Sequence, residues 1–224
     1  MAKILVIAPH PDDETLGCAG TLLKHKKSGD EIHWLIVTSI IGDKRYPPTF
    51  TEQRKNEIEL TSKLYGFSTV NILNFKPATL DVTPLNNIIE EISTIVKDIK
   101  PKVVYLPYRG DAHSDHKVVF DASVACTKSF RNHSIKAVRV YETLSETDFG
   151  CNPDNNGFRP NYFVNVERYL DKKIEILNVF DSEMKAPPFP RNEEAVRALA
   201  LLRGSVAGAV AAEAFMSLKE IWDD

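Results

Sequence analysis

The sequence predicts an α/β fold, a three-layer αβα sandwich around a mostly parallel β-sheet. Short apolar runs rich in β-branched residues alternate with segments of helical period, as strands and helices alternate in such folds. The first run, residues 3–8 (KILVIA), is apolar on both faces, which is typical of a strand that helices cover on both sides. The arrangement is Rossmann-like, and we expect a single domain over residues 1–224.

Strand and helix signals follow one another in order along the chain. Strands are predicted at residues 3–8, 31–39, 69–75, 102–107, 137–144 and 162–166. Helices are predicted at about residues 16–28, 52–65, 85–99, 118–126, 167–180 and 193–222. The clearest helix lies between Pro84 at its start and Pro101 beyond its end. Two long irregular segments, residues 145–161 and 181–193, are expected to be lids or binding loops rather than linkers.

Composition and charge exclude several classes of protein. The 224 residues are 43% hydrophobic and 26% charged, which is typical of a globular chain. A formal net charge of -3 leaves no basic surface for a nucleic-acid partner. No apolar run approaches the roughly 20 residues that a membrane helix needs. We therefore expect no membrane span. The three cysteines contain no CxxC pair and are odd in number, which is typical of reduced cysteines, so we expect a cytoplasmic protein.

A histidine and three acids directly follow the first strand, in the segment PHPDDET. One explanation is structural, because a helix start favours proline, an aspartate cap and acids in its first turn. The other is a binding site, because ligands of open α/β sheets bind beyond the carboxyl ends of the strands. His10 and Asp13 can face one point there, and imidazole together with carboxylate suits zinc. The absence of G-x-G-x-x-G disfavours dinucleotide binding.

A second cluster follows the fourth predicted strand, in the segment RGDAHSDHK. It contains Asp111, His113, Asp115 and His116 within six residues. Both clusters should lie on the same rim of the sheet, where a His/Asp pair from one and a histidine from the other would complete a three-ligand zinc site. Such a site leaves a fourth position for water, whose pKa falls to about 7 on zinc.

The two clusters together resemble the motifs of the PIG-L/LmbE family of zinc-dependent deacetylases. The resemblance depends on PHPDDE near the N-terminus and on HSDH, with weaker similarity in EQRKNEIELTSKLYG, VYET and RGSVAGAVAAEAF. It implies hydrolysis of an N-acetyl group from an amino sugar, with release of acetate. The implied metal ligands are His10, Asp13 and His116, which would hold Zn²⁺ or, in the cell, Fe²⁺. It also implies a homo-oligomer, a trimer or a hexamer.

The resemblance also implies roles for other residues. Asp12 would be the general base, and His113 the charged group that steadies the oxyanion and protonates the leaving amine. Asp115 would orient His113 and support its charge. Arg54 matches an arginine of an R-x-x-E helix that the family uses near the sugar or its phosphate, although a solvated helix arginine is the alternative. Apart from the resemblance, Tyr108, Arg109, Arg159 and Arg203 are further candidates for the sugar site because they lie in or near loops. For the arginines, a surface position without a specific role is the alternative.

The sequence motifs do not determine the substrate. After Phe75, where many relatives carry an acid near the substrate, this chain continues KPATLD. One alternative is a zinc amidase that cuts a larger thiol-type conjugate, because the motifs do not separate the two activities. The other is a non-catalytic α/β binding module in which both clusters are helix caps, and this alternative predicts no stoichiometric zinc.

Overall fold

The computed structural model describes residues 1–151 and 157–222. Its strands are β1 (Lys3–Ala8), β2 (Glu31–Thr38), β3 (Thr69–Phe75), β4 (Val103–Pro107), β5 (Ala137–Tyr141), β6 (Tyr162–Asn165) and β7 (Ala212–Glu220). Its α-helices are α1 (Asp13–Lys27), α2 (Pro48–Tyr65), α3 (Leu85–Ile99), α4 (Ser114–Cys126), α5 (Leu170–Leu177) and α6 (Glu193–Ala207). Short 3-10 turns, Leu80–Val82 and Glu167–Tyr169, precede α3 and α5. No helix within the described ranges has the length and apolar character to cross a membrane.

The described strands form one sheet in the order β3-β2-β1-β4-β5-β7-β6. The first five strands pair in parallel, whereas β7 pairs antiparallel with both β5 and β6. β1 lies between β2 and β4 in the sheet. The strands β2 and β3 are added on one side of β1, and β4 and β5 are added on the other, so the direction of strand addition reverses at β1. A crevice for ligands is expected outside the carboxyl ends of the strands at such a reversal. The loops after β1 and β4 flank this crevice.

Both faces of the sheet are covered, which confirms the predicted three-layer α/β sandwich. Leu5 and Ile7 of β1 pack into a core that includes α3 and α4. Ile4 and Val6 face the opposite core, which α1 and α2 cover. Burial of β1 on both sides explains its uninterrupted apolar sequence. It also holds the loop that follows β1 on a rigid support.

The predicted helix over residues 193–222 is wrong beyond residue 207. Gly208 has the left-handed conformation, with φ 67°, and its backbone N–H bonds to Gly204, so α6 ends there. The chain then returns as β7 between β5 and β6. Alanine, glutamate, methionine and leucine favour a helix in this segment, but hydrogen bonding to two neighbouring strands outweighs that weak local preference. Ala214 and Phe215 are buried in the resulting strand.

Candidate metal centre

The loop after β1 turns sharply before α1 begins. Asp12 has backbone angles of φ 138° and ψ -28°, a conformation that residues other than glycine rarely adopt. Its N–H donates to Glu14 Oε2 at 3.2 Å, and its carbonyl accepts from Thr15 and Leu16 at 2.9 and 2.8 Å. Such backbone strain costs about 1–3 kcal/mol and persists where the surroundings impose it, commonly at functional sites.

The structure brings His10, Asp13 and His116 to one point. Potential ligand atoms of these three side chains all lie within 4.8 Å of one another. Asp13 Oδ2 is 3.2 Å from His10 Nδ1 and 3.3 Å from His116 Nε2. Two segments more than a hundred residues apart therefore meet here, because β1 and β4 are neighbours in the sheet. Two imidazoles and one carboxylate form a ligand set typical of zinc.

A second set, His10, His113 and Asp115, also has potential ligand atoms within 4.8 Å of one another. The carboxylate of Asp115 is already occupied, because it accepts from the backbone N–H groups of Ala78 and Leu80 at 2.7 and 3.2 Å and contacts His10 Nε2 at 3.0 Å. Asp13 Oδ1, by contrast, is buried without a hydrogen-bond partner among the described residues. A buried unpaired carboxylate oxygen is costly, and a cation would satisfy it. The structure therefore favours the set that contains Asp13.

Carboxylates hold protons on both candidate histidine ligands. Burial alone would lower the pKa of His10, but Asp115 and Asp13 raise it to about 9. Burial opposes the charge on His116 as well, but Asp13 and Asp111 raise its pKa to about 10. Burial would raise the pKa of Asp13, yet the two histidines hold it well below its usual range. The two imidazoles are thus paired with carboxylates, and a bound cation would displace their protons.

Asp111 orients His116 from the side away from Asp13. Its Oδ2 is 2.7 Å from His116 Nδ1, and its Oδ1 accepts from the Thr147 hydroxyl at 2.6 Å. A carboxylate behind a histidine is the usual support for a metal ligand, because it fixes the ring orientation and tautomer. Sequence analysis included Asp111 in the second cluster but gave it no role.

Asp12 faces the cavity beside this cluster. Burial raises the pKa of Asp12 to about 7, although the Arg191 guanidinium opposes the shift. Arg191 Nη1 donates to Asp12 Oδ2 at 2.8 Å. A carboxyl group with a pKa near neutrality can accept a proton and return it, which is what general acid–base catalysis requires.

The structure differs from the expectation for His113 and Asp115. The nearest Asp115 carboxylate oxygen is 3.9 Å from His113 Nδ1, and it is the Asp115 backbone N–H that donates to Nδ1 at 3.1 Å. A ring nitrogen that accepts this bond carries no proton, so His113 is neutral with its proton on Nε2. Burial and the neighbouring His10 lower the pKa of His113, whereas the Asp115 carboxylate raises it. The helix start, rather than the Asp115 carboxylate, orients His113.

A cavity of about 320 Å³ opens beside His10, Asp12 and His113. Its other lining residues are Pro11, Thr38, Ser39, Ile40, Tyr46, Phe50, Arg54, Ile58, Pro77, Ala78, Glu146, Glu183 and Arg191. A concave, partly apolar space with a few polar groups is the usual form of a small-molecule site.

Only one of the two predicted substrate-binding arginines lies at this cavity. Arg54 lines it, with Nη1 donating to the Pro11 carbonyl at 3.0 Å. Arg109 does not line it, because its half-exposed guanidinium pairs with Asp121 on α4 at 2.6 Å. The further candidates Arg159 and Arg203 are also outside the lining, and Arg203 pairs with Glu142.

Sequence analysis missed three charged residues of the cavity, Glu146, Glu183 and Arg191. All three lie in the two long irregular segments that were predicted to be lids or binding loops. The loops were recognisable from their length and proline content. Which of their side chains reach the cavity depends on the path of the backbone, and no local pattern encodes that path.

The fold and the cluster together define a Rossmann-like α/β protein with a candidate metal centre at the carboxyl edge of its sheet. The family model described as "PIG-L: GlcNAc-PI de-N-acetylase" matches residues 5–127, more than half of the chain. The protein therefore belongs to the PIG-L family. The match spans both sequence clusters and the strands β1 to β4 that carry them.

A curated relative is similar in sequence over most of the chain, and solved structures share the fold. The diacetylchitobiose deacetylase of Thermococcus kodakarensis is 26% identical over 233 residues, covering 92% of this chain and 79% of that protein. The solved N,N'-diacetylchitobiose deacetylase of Pyrococcus horikoshii has a TM-score of 0.78 at 20% identity, covering 97% and 84% of the two chains. The 4-carboxy-2-hydroxymuconate hydratase GalB of Pseudomonas putida has a TM-score of 0.73 at 16% identity, covering 100% and 99%. The fold alone therefore does not determine the reaction.

Proposed function

We propose that this protein is a metal-dependent hydrolase that removes the N-acetyl group from an amino sugar or sugar conjugate and releases acetate. The observation that carries the proposal is the meeting of His10, Asp13 and His116 beside Asp12 at the wall of one cavity. Membership of the PIG-L family and the similarity to a diacetylchitobiose deacetylase support an amide bond of an N-acetylated sugar as the target.

His10, Asp13 and His116 would hold the metal, which we propose to be Zn²⁺, or Fe²⁺ in the cell. Bound there, the ion would supply Lewis-acid chemistry, which polarises a carbonyl and makes water more acidic. The Asp13 oxygen without a partner and the Asp111 carboxylate behind His116 fit this role.

Asp12 would accept the proton of the attacking water and return a proton to the departing nitrogen. Its position at the cavity wall and its pKa of about 7 suit both transfers. Arg191 would hold the Asp12 carboxylate in place. His113 would donate a hydrogen bond from its Nε2–H to the carbonyl oxygen, where negative charge develops as water adds. We propose this contact for the neutral ring that the structure contains.

The test is acetate release by the purified protein from N-acetylglucosamine glycosides, with and without a chelator. We expect turnover that the chelator abolishes and added zinc restores. Asp12→Asn should keep the metal and lose turnover. Asp121→Asn, the same change at a half-buried position outside the cavity lining, should retain both. Normal deacetylation by Asp12→Asn would contradict the assigned role, and no acetate from any glycoside would contradict the proposed function.

We also propose a cytoplasmic location and a homo-oligomer, a trimer or a hexamer. The reduced state of Cys18 and Cys126 supports the first proposal. Exposed apolar side chains on α6, at Leu201, Leu202 and Val206, support the second. Light scattering on the purified protein measures the assembly, and a monomer would contradict the oligomer.

A further inference from the structure

We propose that the cavity selects uncharged N-acetyl amino-sugar glycosides and rejects those that carry a phosphate or carboxylate group. The inference rests on the proposed function and names the class of substrate. It depends on how the two arginines of the cavity are paired, and on the excess of carboxyl groups around them.

Protein acceptors occupy Arg191 on all three guanidinium nitrogens. Nε donates to Ser145 Oγ at 2.7 Å, and Nη2 donates to Glu146 Oε1 at 3.1 Å. Nη1 donates to Asp12 Oδ2 at 2.8 Å and to Glu183 Oε2 at 3.4 Å. One guanidinium therefore faces three carboxyl groups. An anionic ligand could bind Arg191 only if a partly buried carboxylate lost its partner, and such losses are costly.

Arg54 is paired in the same way. Nη1 donates to the Pro11 carbonyl, and Nη2 donates to Ser182 Oγ and to Glu183 Oε1 at 3.1 and 2.6 Å. Nε lies 3.1 Å from Glu57 Oε2. The side chain is 8% exposed, so it has little surface with which to contact a ligand. Arg54 therefore connects α2 to the loop of residues 181–193 and is not available to bind a phosphate group.

Carboxyl groups outnumber guanidinium groups in the cavity wall, where Asp12, Glu146 and Glu183 lie with Arg54 and Arg191. The two guanidinium groups face Asp12, Glu57, Glu146 and Glu183. The described lining residues include no lysine. An anion placed beside these two guanidinium groups would meet the Glu146 and Glu183 carboxylates at short range. The site is partly shielded from water, where charge–charge interactions are stronger than in solution.

Part of the cavity lining is apolar and aromatic, with Phe50 beside Arg54 on α2. Tyr46 and Phe50 stack with ring centroids 6.0 Å apart and an interplanar angle of 23°. Ile58 and Pro77 line the same cavity. This part of the lining offers contact area to the carbon face of a sugar ring, and it needs no charge on the ligand.

The experiment compares two probes on the zinc-loaded protein, methyl N-acetyl-β-glucosaminide and N-acetylglucosamine 6-phosphate. We expect kcat/KM for acetate release to be at least ten-fold higher for the neutral glycoside. The difference should narrow in concentrated salt, because salt screens repulsion between charges and leaves steric exclusion unchanged. Equal or higher kcat/KM for the phosphate, or a difference that salt does not alter, would overturn the inference.

A charge-neutralising variant tests the cause. Glu146→Gln should raise the phosphate-to-neutral ratio of kcat/KM by at least three-fold, since it removes one of the repelling carboxylates. Glu90→Gln, the same change at an exposed position on α3, should leave the ratio unaltered. An unchanged ratio in Glu146→Gln would contradict the electrostatic explanation.

Calorimetric binding of the two probes separates this inference from the proposed function. If neither probe is hydrolysed but the neutral one binds more tightly, the deacetylase proposal fails and the selectivity stands. If both are hydrolysed and the phosphate binds as tightly as the glycoside, the selectivity fails and the deacetylase proposal stands.

Discussion

Loading the metal-free protein with zinc near neutral pH should release about two protons per ion. His10 and His116 have pKa values of about 9 and about 10, so both rings are charged before the metal arrives. Each ring must lose a proton before its nitrogen can bind the ion. Asp13 contributes no proton, because its pKa is held well below its usual range.

The sign and size of the pH dependence follow from these values. Below about pH 9 both histidines compete with protons for the ion, so the apparent binding constant should rise about one hundred-fold per pH unit. Between pH 9 and 10 only His116 is still protonated, and the slope should approach ten-fold. Calorimetric titration in buffers of different ionisation enthalpy measures the number of released protons directly.

Two variants provide the comparison. Asp111→Asn removes one of the two carboxylates that hold the proton on His116, so it should reduce the proton release measured near pH 8. Asp121→Asn on the same helix, α4, should release as many protons as the unchanged protein. Release of less than about one proton per ion by the unchanged protein would contradict the claim that both histidines are protonated before they bind the metal.

Three further predictions concern activity and stability. Asp12→Asn should lower kcat by roughly 10²–10⁴-fold with metal content unchanged, because it removes the proposed base. Gly17→Ala should lower the free energy of unfolding by about 1–3 kcal/mol, because the added methyl would overlap the Tyr141 ring and lie 2.9 Å from the Glu142 carbonyl oxygen. The free energy of unfolding of the metal-free protein should fall as the pH rises from about 6.5 to about 10. The pKa values of His10 and His116 are raised to about 9 and about 10, so the folded state binds these protons more tightly than the unfolded state does.

Each of these has a measurement and a contrary result. Steady-state acetate release with parallel metal analysis tests Asp12→Asn, and loss of metal would show a structural role instead. Urea unfolding tests Gly17→Ala, for which an unchanged midpoint would show that Tyr141 moves aside. Thermal unfolding across pH tests the third, with His116→Gln as the comparison. Equal pH profiles for the two proteins would contradict the linkage.

The fold was predictable wherever local sequence and tertiary contacts favour the same structure. β1 is apolar on both faces because both faces are covered, so its pattern reports its place in the sheet. β7 was not predictable in this way. Its alanine, glutamate and leucine residues favour a helix, and only pairing with β5 and β6 makes it a strand.

Some residues of the candidate site could be predicted from the sequence, and others could not. His10 and Asp13 lie on one short turn, and His116 follows the neighbouring strand, so the rule for parallel sheets was enough to predict their meeting. Arg191 reaches Asp12 across 179 positions of sequence, through a loop whose path depends on the whole fold. The tautomer of His113 likewise follows from a backbone hydrogen bond that a sequence does not reveal.

Anomalous diffraction at the zinc absorption edge, from crystals of the zinc-loaded protein, tests the central claim most directly. The account predicts one strong peak at about 2.0–2.2 Å from a nitrogen of His10, a nitrogen of His116 and an oxygen of Asp13. A peak coordinated by His113 and Asp115, or no peak in this cavity, would contradict it.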